Sequence, residues 1–278
     1  MTEHRRYPSD LSDARWQLIG PILTAWRTGR LACALGIDRP PEHDLRTIMN
    51  AILYVDRTGI PWRYLPHDYP PWATVYRYFA AWRDEGVFTE LSGLLHRLAR
   101  IAEGRAPEPS ACVIDAQSVK TSTDVPAADQ GIDVAKKIVG CKRSIVVDTL
   151  SLLPAVLVTA ASVPDSVAGT ALIDQIAATH PTIRKSWVDG GYRQHLVEHA
   201  AALGIDMQIV RHTPGRGFTV LSRRWIVERT LGWLMLHRRL ARDYEALPAS
   251  SEAMIHITMI DLMSRRLTGE STPTWRDT

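Results

Sequence analysis

With 278 residues, the chain has room for one large domain or two modest ones. Its 33 Lys and Arg against 30 Asp and Glu leave a charge of +3, too small a surplus to be a nucleic-acid footprint by itself, so the placement of charge matters more than the sum. Three widely spaced cysteines, Cys33, Cys112 and Cys141, make neither a disulfide framework nor a zinc site and point to a reducing compartment.

Taken in chain order, Met1 to Pro8 lacks the apolar centre of a signal peptide. Apolar residues at helical spacing then predict helices over residues 12–24, 44–57, 73–84 and 87–103. In the third of these, Tyr76, Phe79 and Trp82 are spaced to form core, which leaves Thr74, Arg77 and Arg83 on the outer side. Helices joined by short turns around Pro61 to Pro66 resemble a helix-turn-helix, whose last helix would enter a major groove through those three residues. The stretch Glu103 to Ser110, rich in breakers and polar residues, is the natural seam, dividing a helical domain (1–104) from a second domain (105–278).

Beyond the seam the pattern changes to short apolar runs at 111–115, 143–148, 153–160, 184–188 and 206–210. Helical stretches follow or separate them at 165–179, 192–202, 224–242 and 251–267. This order predicts an α/β domain with a mixed sheet and flanking helices. Leu152 to Ala161, the most apolar run, is too short to cross a bilayer, so the expectation is a cytoplasmic protein without a membrane partner. His195 and His199 share an i,i+4 spacing without the remainder of a zinc motif, and read as surface residues.

Two of the runs lead into acids that are candidate site residues. Ala111 to Ile114 leads into Asp115, and Ile183 to Val188 leads into Asp189, followed by Gly190 and Gly191, which permit a sharp turn. Side chains leaving strand ends converge in the crevice where sites of α/β sheets assemble, although aspartate after a strand is also an ordinary turn residue. The predicted helix 224–242 carries one acid, Glu228, on a face shared with Arg224 and Arg239, with Arg242 close by. Alone, that face would equally serve as a solvated surface with intrahelical ion pairs. Together, three carboxylates without a Cys or His cluster suit a hard cation, Mg2+ or Mn2+. Two such ions about 4 Å apart would clamp an in-line displacement at phosphorus, which makes a phosphodiester the natural substrate.

The segments Ile114-Asp115-Ala116-Gln117-Ser118-Val119-Lys120, Val188-Asp189-Gly190-Gly191-Tyr192 and Arg224-Trp225-Ile226-Val227-Glu228-Arg229-Thr230 resemble those of bacterial insertion-sequence transposases of the DDE type, in the insertion-sequence-five group. The resemblance runs nearly end to end, from Leu11-Ser12-Asp13 through Pro61-Trp62-Arg63 to Met263-Ser264-Arg265-Arg266-Leu267. It implies a ribonuclease H-like catalytic core in which Asp115, Asp189 and Glu228 are the catalytic, metal-binding triad. It also implies cleavage at the element's terminal inverted repeats and joining of the 3′ ends to target DNA, with double-stranded DNA as partner.

Basic residues cluster at Arg224, Arg238, Arg239 and Arg242, and again at Lys136, Lys137, Lys142 and Arg143, where they are expected to neutralise phosphates. Pairing two element ends implies a homodimer or higher oligomer in the DNA complex. Two alternatives stay open: a catalytically inactive or repurposed DNA-binding copy, and a phosphodiesterase acting on other nucleic acids.

Overall fold

The computed structural model describes residues 6–33, 43–210 and 224–274, with the side chains of Cys33 and Arg224 outside the description. Four helices come first: α1 (Asp13–Cys33), α2 (Leu45–Thr58), α3 (Trp72–Asp84) and α4 (Val87–Ala102). The start and end of α2 show why the boundaries fall where they do. The Asp44 carboxylate accepts the Thr47 amide at 2.9 Å, satisfying one orphan donor, and Gly59 closes the helix in the left-handed region at φ 74°. A side chain at Gly59 would meet Arg238, so the turn is also a packing site. Phe79 and Trp82 are fully buried and Tyr76 packs beside them, as their spacing predicts.

The sheet contains β1 (Ala111–Lys120), β2 (Gly131–Asp133), β3 (Ile138–Asp148), β4 (Ala155–Ala160), β5 (Lys185–Asp189) and β6 (Asp206–Val210). β3 runs antiparallel to β1 and carries both β2 and β4 on its outer edge, while β5 and β6 continue parallel to β1 on the other side. The helix α5 (Asp165–Thr179) lies between β4 and β5 in sequence, and α6 (Gln194–Ala202) between β5 and β6. The result is the mixed sheet with flanking helices that the sequence predicts.

Alternation along the strands sorts side chains into two layers. Cys112, Ile114 and Val188 face α5 and α6, packing with Leu172, Ile176 and Leu196. Val113, Ile145, Val147 and Trp187 face the opposite way, into a core shared with α7 (Arg224–Leu234), α8 (Pro248–Thr268) and all four N-terminal helices. α8 is the hub, since Met254, Ile257, Met259 and Ile260 are wholly buried where it meets α4, α2 and α1.

Two expectations are corrected. β1 continues to Lys120 instead of stopping at Asp115, because its ladder with β3 persists to the Lys120–Gly140 pair. The helix predicted over 224–242 ends at Leu234; the chain turns and forms a short 3-10 turn at Arg238–Leu240. Tertiary contacts override the periodicity there: His237 Nδ1 sits 2.6 Å from the buried Asp56 carboxylate, and Arg239 Nε donates to Glu245 at 2.7 Å. Arg239 therefore does not share a helix face with Glu228.

Candidate functional site

In the parallel pairing of β1 with β5, Val113 stands opposite Trp187. Two residues further along each strand are Asp115 and Asp189, so the period of two places both on the sheet face of Val113 and Trp187. Each is half-buried. Asp115 Oδ1 accepts the Ala116 amide at 2.8 Å, and Asp189 Oδ1 accepts the Gly191 amide at 2.9 Å, tying the turn to the strand end. A Cβ on Gly191 would lie 3.0 Å from Asp189 Oδ1 and 3.3 Å from Asp165 Oδ2, so glycine lets the turn pass between two carboxylates. Tyr192 then folds inward, its ring against Gly169 of α5. Burial, and after it the charges of Asp115, Asp165 and Asp189, raise the phenol pKa well above its ordinary value, which keeps the hydroxyl a proton donor.

Glu228 arrives on α7, which covers the face bearing the two aspartates. Ile226 and Val227 enter the core beside Val113 and Ile145. Thr230 Oγ1 donates to Ser151 O at 2.8 Å, Ser151 Oγ to Ile226 O at 2.9 Å, and Arg229 Nε to Ser151 Oγ at 2.9 Å. These bonds fix the helix's rotation and leave Glu228 exposed. Among the described residues, no three His, Cys, Asp or Glu side chains are placed to close on one metal ion. The structure thus brings Asp115 and Asp189 to neighbouring strand positions and sets Glu228 on the helix above their face, without joining it to them. The donors, Asp115 within β1 and Asp189 at the end of β5, are carboxylates, a residue type that fits Mg2+ or Mn2+ and not a thiophilic metal.

The basic residues divide into two groups. Arg143 is enclosed, donating to Leu240 O at 2.6 Å and Arg242 O at 3.2 Å, and Arg239 also donates to Ile60 O at 3.0 Å. Lys142 Nζ is 2.7 Å from Asp165 Oδ1 and donates to Val163 O at 2.9 Å. Those three cations are held inside the fold. Lys136, Lys137, Arg238 and Arg242 are exposed, Lys136 Nζ donating to Ala116 O at 3.1 Å. On α3, Arg77 is exposed and Thr74 half-buried, whereas Arg83 is bound to Asp84 and to Ser250 Oγ of α8 at 2.7 Å. The side chain of Arg224 lies outside the described residues, as do residues 34–42 and 211–223.

Sequence reasoning passed over Asp165, since Pro164-Asp165-Ser166 reads as an ordinary helix start. It also passed over the stacking of Arg229 on Trp225 and Trp233, at 4.6 and 4.9 Å from the ring centroids. His195 is exposed and His199 pairs with Asp174 at 2.7 Å; Cys112 is buried, its thiol pKa pushed up to about 12 chiefly by burial.

Residues 11–92 match the model for transposases of the IS4/5 family, and residues 106–262 match the transposase DDE domain. No curated protein matches the chain. Among the described residues, no helix is long and apolar enough to cross a membrane.

Proposed function

Because the chain belongs to the transposases with a DDE domain, DNA-acting enzymes with a ribonuclease H-like fold, we propose that it binds the terminal inverted repeats of its own element, cleaves them and joins the 3′ ends to target DNA. The observation that carries this reading is the neighbouring placement of Asp115 and Asp189 on parallel strands under the helix that bears Glu228. These three residues would hold two divalent ions, Mg2+ or Mn2+, which when bound activate the attacking oxygen and stabilise the leaving one. Asp115 and Asp189 are held by strand and turn hydrogen bonds, so their oxygens need little reorganisation to serve as ligands. In this proposal Glu228, exposed on α7, completes the set only when DNA is present.

Residues 1–104 serve in this proposal as the DNA-reading part, with α3 entering a groove, and residues 105–278 as the catalytic part. Exposed Lys136, Lys137, Arg238 and Arg242 hold phosphates, two copies pair the two ends, and the reaction takes place in the cytoplasm. Mixing the purified protein with a duplex carrying the terminal repeat, in Mg2+ or Mn2+, is expected to give nicks at the repeat boundary. Binding without any cutting under either ion would instead favour a repurposed DNA-binding copy, the reading that Glu228's exposed position supports.

Arg77→Ala is expected to weaken binding to the repeat by about tenfold and, if Arg77 touches a phosphate, to reduce the slope of log affinity against log salt by about one. Fluorescence anisotropy across a salt series measures both. Unchanged affinity and slope would remove α3 from the interface.

A further inference from the structure

The turn between β3 and β4 meets α7 through a residue whose backbone conformation its own side chain disfavours. Ser151 sits at φ 66°, in the left-handed region that glycine enters freely and a serine only at a cost. It is wholly buried. Its hydroxyl donates to Ile226 O and accepts Arg229 Nε, each at 2.9 Å, and its carbonyl accepts the Thr230 hydroxyl at 2.8 Å. Those partners flank Glu228 on both sides along α7. Arg229 also stands over the rings of Trp225 and Trp233, so the grip extends to the exposed side of the helix. A second observation shows what holds the turn. Asp148, at the end of β3 and equally buried, accepts the Leu150 and Leu152 amides through Oδ1 at 2.8 and 2.9 Å, and its carbonyl accepts the Ser151 amide at 3.0 Å. Through Oδ2 it pairs with His96 at 3.1 Å and with Arg100, both of α4. An unbroken chain of contacts thus runs from α4 through Asp148 and Ser151 to the helix that carries Glu228.

We propose that Ser151 is a positioning residue for Glu228: anchored on α4 through Asp148, it sets the height and rotation of α7, and the disfavoured backbone is kept because only a side chain there can grip the helix. The inference rests on Glu228 being the third carboxylate of the DNA-cutting site. Its physical content is a trade of stability against cutting. Glycine at 151 would relax the backbone and release α7, two changes that offset each other in stability but not in cutting. A residue serving the fold alone would change both in step.

The test uses the full-length protein and a terminal-repeat duplex in Mn2+, with single-turnover cleavage, repeat affinity and thermal melting read together. Ser151→Ala, which keeps the disfavoured backbone and removes the hydroxyl, is expected to melt about 3 °C lower and to cut about tenfold more slowly. Ser151→Gly, which removes both, is expected to melt within about 1 °C of the natural protein and still to cut about tenfold more slowly, with repeat affinity unchanged in both variants. Glu228→Gln serves as the reference. If it abolishes cutting while the rates of the two Ser151 variants merely follow their melting temperatures, Ser151 serves the fold alone and the proposal is overturned, with the catalytic reading intact. If the natural protein does not cut, or Glu228→Gln cuts undiminished, the catalytic reading itself fails and this inference with it. Should neither Ser151 variant fold, Thr230 decides at a temperature well below both melting transitions: Thr230→Val cutting about tenfold more slowly than Thr230→Ser, which keeps the hydroxyl, upholds the proposal, and equal rates overturn it.

Discussion

An Asp115→Asn protein is expected to bind terminal-repeat DNA as tightly as the natural protein and to cut it on the order of a thousandfold more slowly, the loss of roughly 4 kcal/mol of transition-state stabilisation. The fold has no reason to change. Asparagine keeps an oxygen to accept the Ala116 amide, and the ladder from Cys112–Asp148 to Lys120–Gly140 is made of backbone bonds that the substitution does not touch. What is lost is one negative charge beside Asp189, and with it much of the affinity for a hard cation. Single-turnover cleavage of an end-labelled duplex, read beside a binding isotherm, separates the two effects. Undiminished cutting would remove Asp115 from the chemistry, and weakened binding alone would make it a DNA contact.

Asp115 and Asp189 were legible because a strand's period of two is rigid: an apolar run ending in an acid fixes which face the acid joins, and parallel neighbours bring two such acids level. The helices were legible for the related reason that their apolar spacing matches a buried stripe, as at Phe79 and Trp82. The segment from Met235 to Arg242 was not. Its spacing is helical, but His237, Arg239 and Arg143 find partners in Asp56, Glu245, Leu240 and Arg242 that are remote in sequence or follow a turn, and those bonds bend the chain. A basic cluster in sequence thus became two populations, one exposed and one serving as internal mortar. Asp165 escaped notice because its partners, Lys142 and the Gly191 turn, are set by sheet topology and not by local pattern.

The same internal mortar sets the largest expected effect on stability. Asp261 on α8 is 4% exposed and receives the guanidinium groups of Arg15 of α1 at 2.5 Å and Arg265 at 3.1 Å, with the imidazole of His237 at 3.7 Å. Asp56 of α2 holds the other nitrogen of His237 at 2.6 Å and accepts Thr258 of α8. One carboxylate pair therefore ties α1, α2, α8 and the chain after α7 together. Asp261→Ala would leave the Arg15 and Arg265 guanidinium groups buried without their carboxylate, at a cost of about 3–5 kcal/mol, so the melting temperature at pH 7 is expected to fall by on the order of 10 °C. Burial alone would raise the Asp261 pKa, but Arg15, His237 and Arg265 together outweigh it and hold the carboxyl below its ordinary value. A folded pKa below the unfolded one stabilises the protein above the unfolded pKa, about 4, and that contribution is lost as pH falls through the folded value. The gap between the natural protein and Asp261→Ala should accordingly be full at pH 5 to 7 and close only in stronger acid. Thermal melts of both proteins from pH 7 to pH 3 measure it. A gap under about 2 °C at pH 7 would mean that water or Glu270 takes over the guanidinium groups, whereas a large gap that persists unchanged to pH 3 would mean that packing, not charge, is what Asp261 contributes.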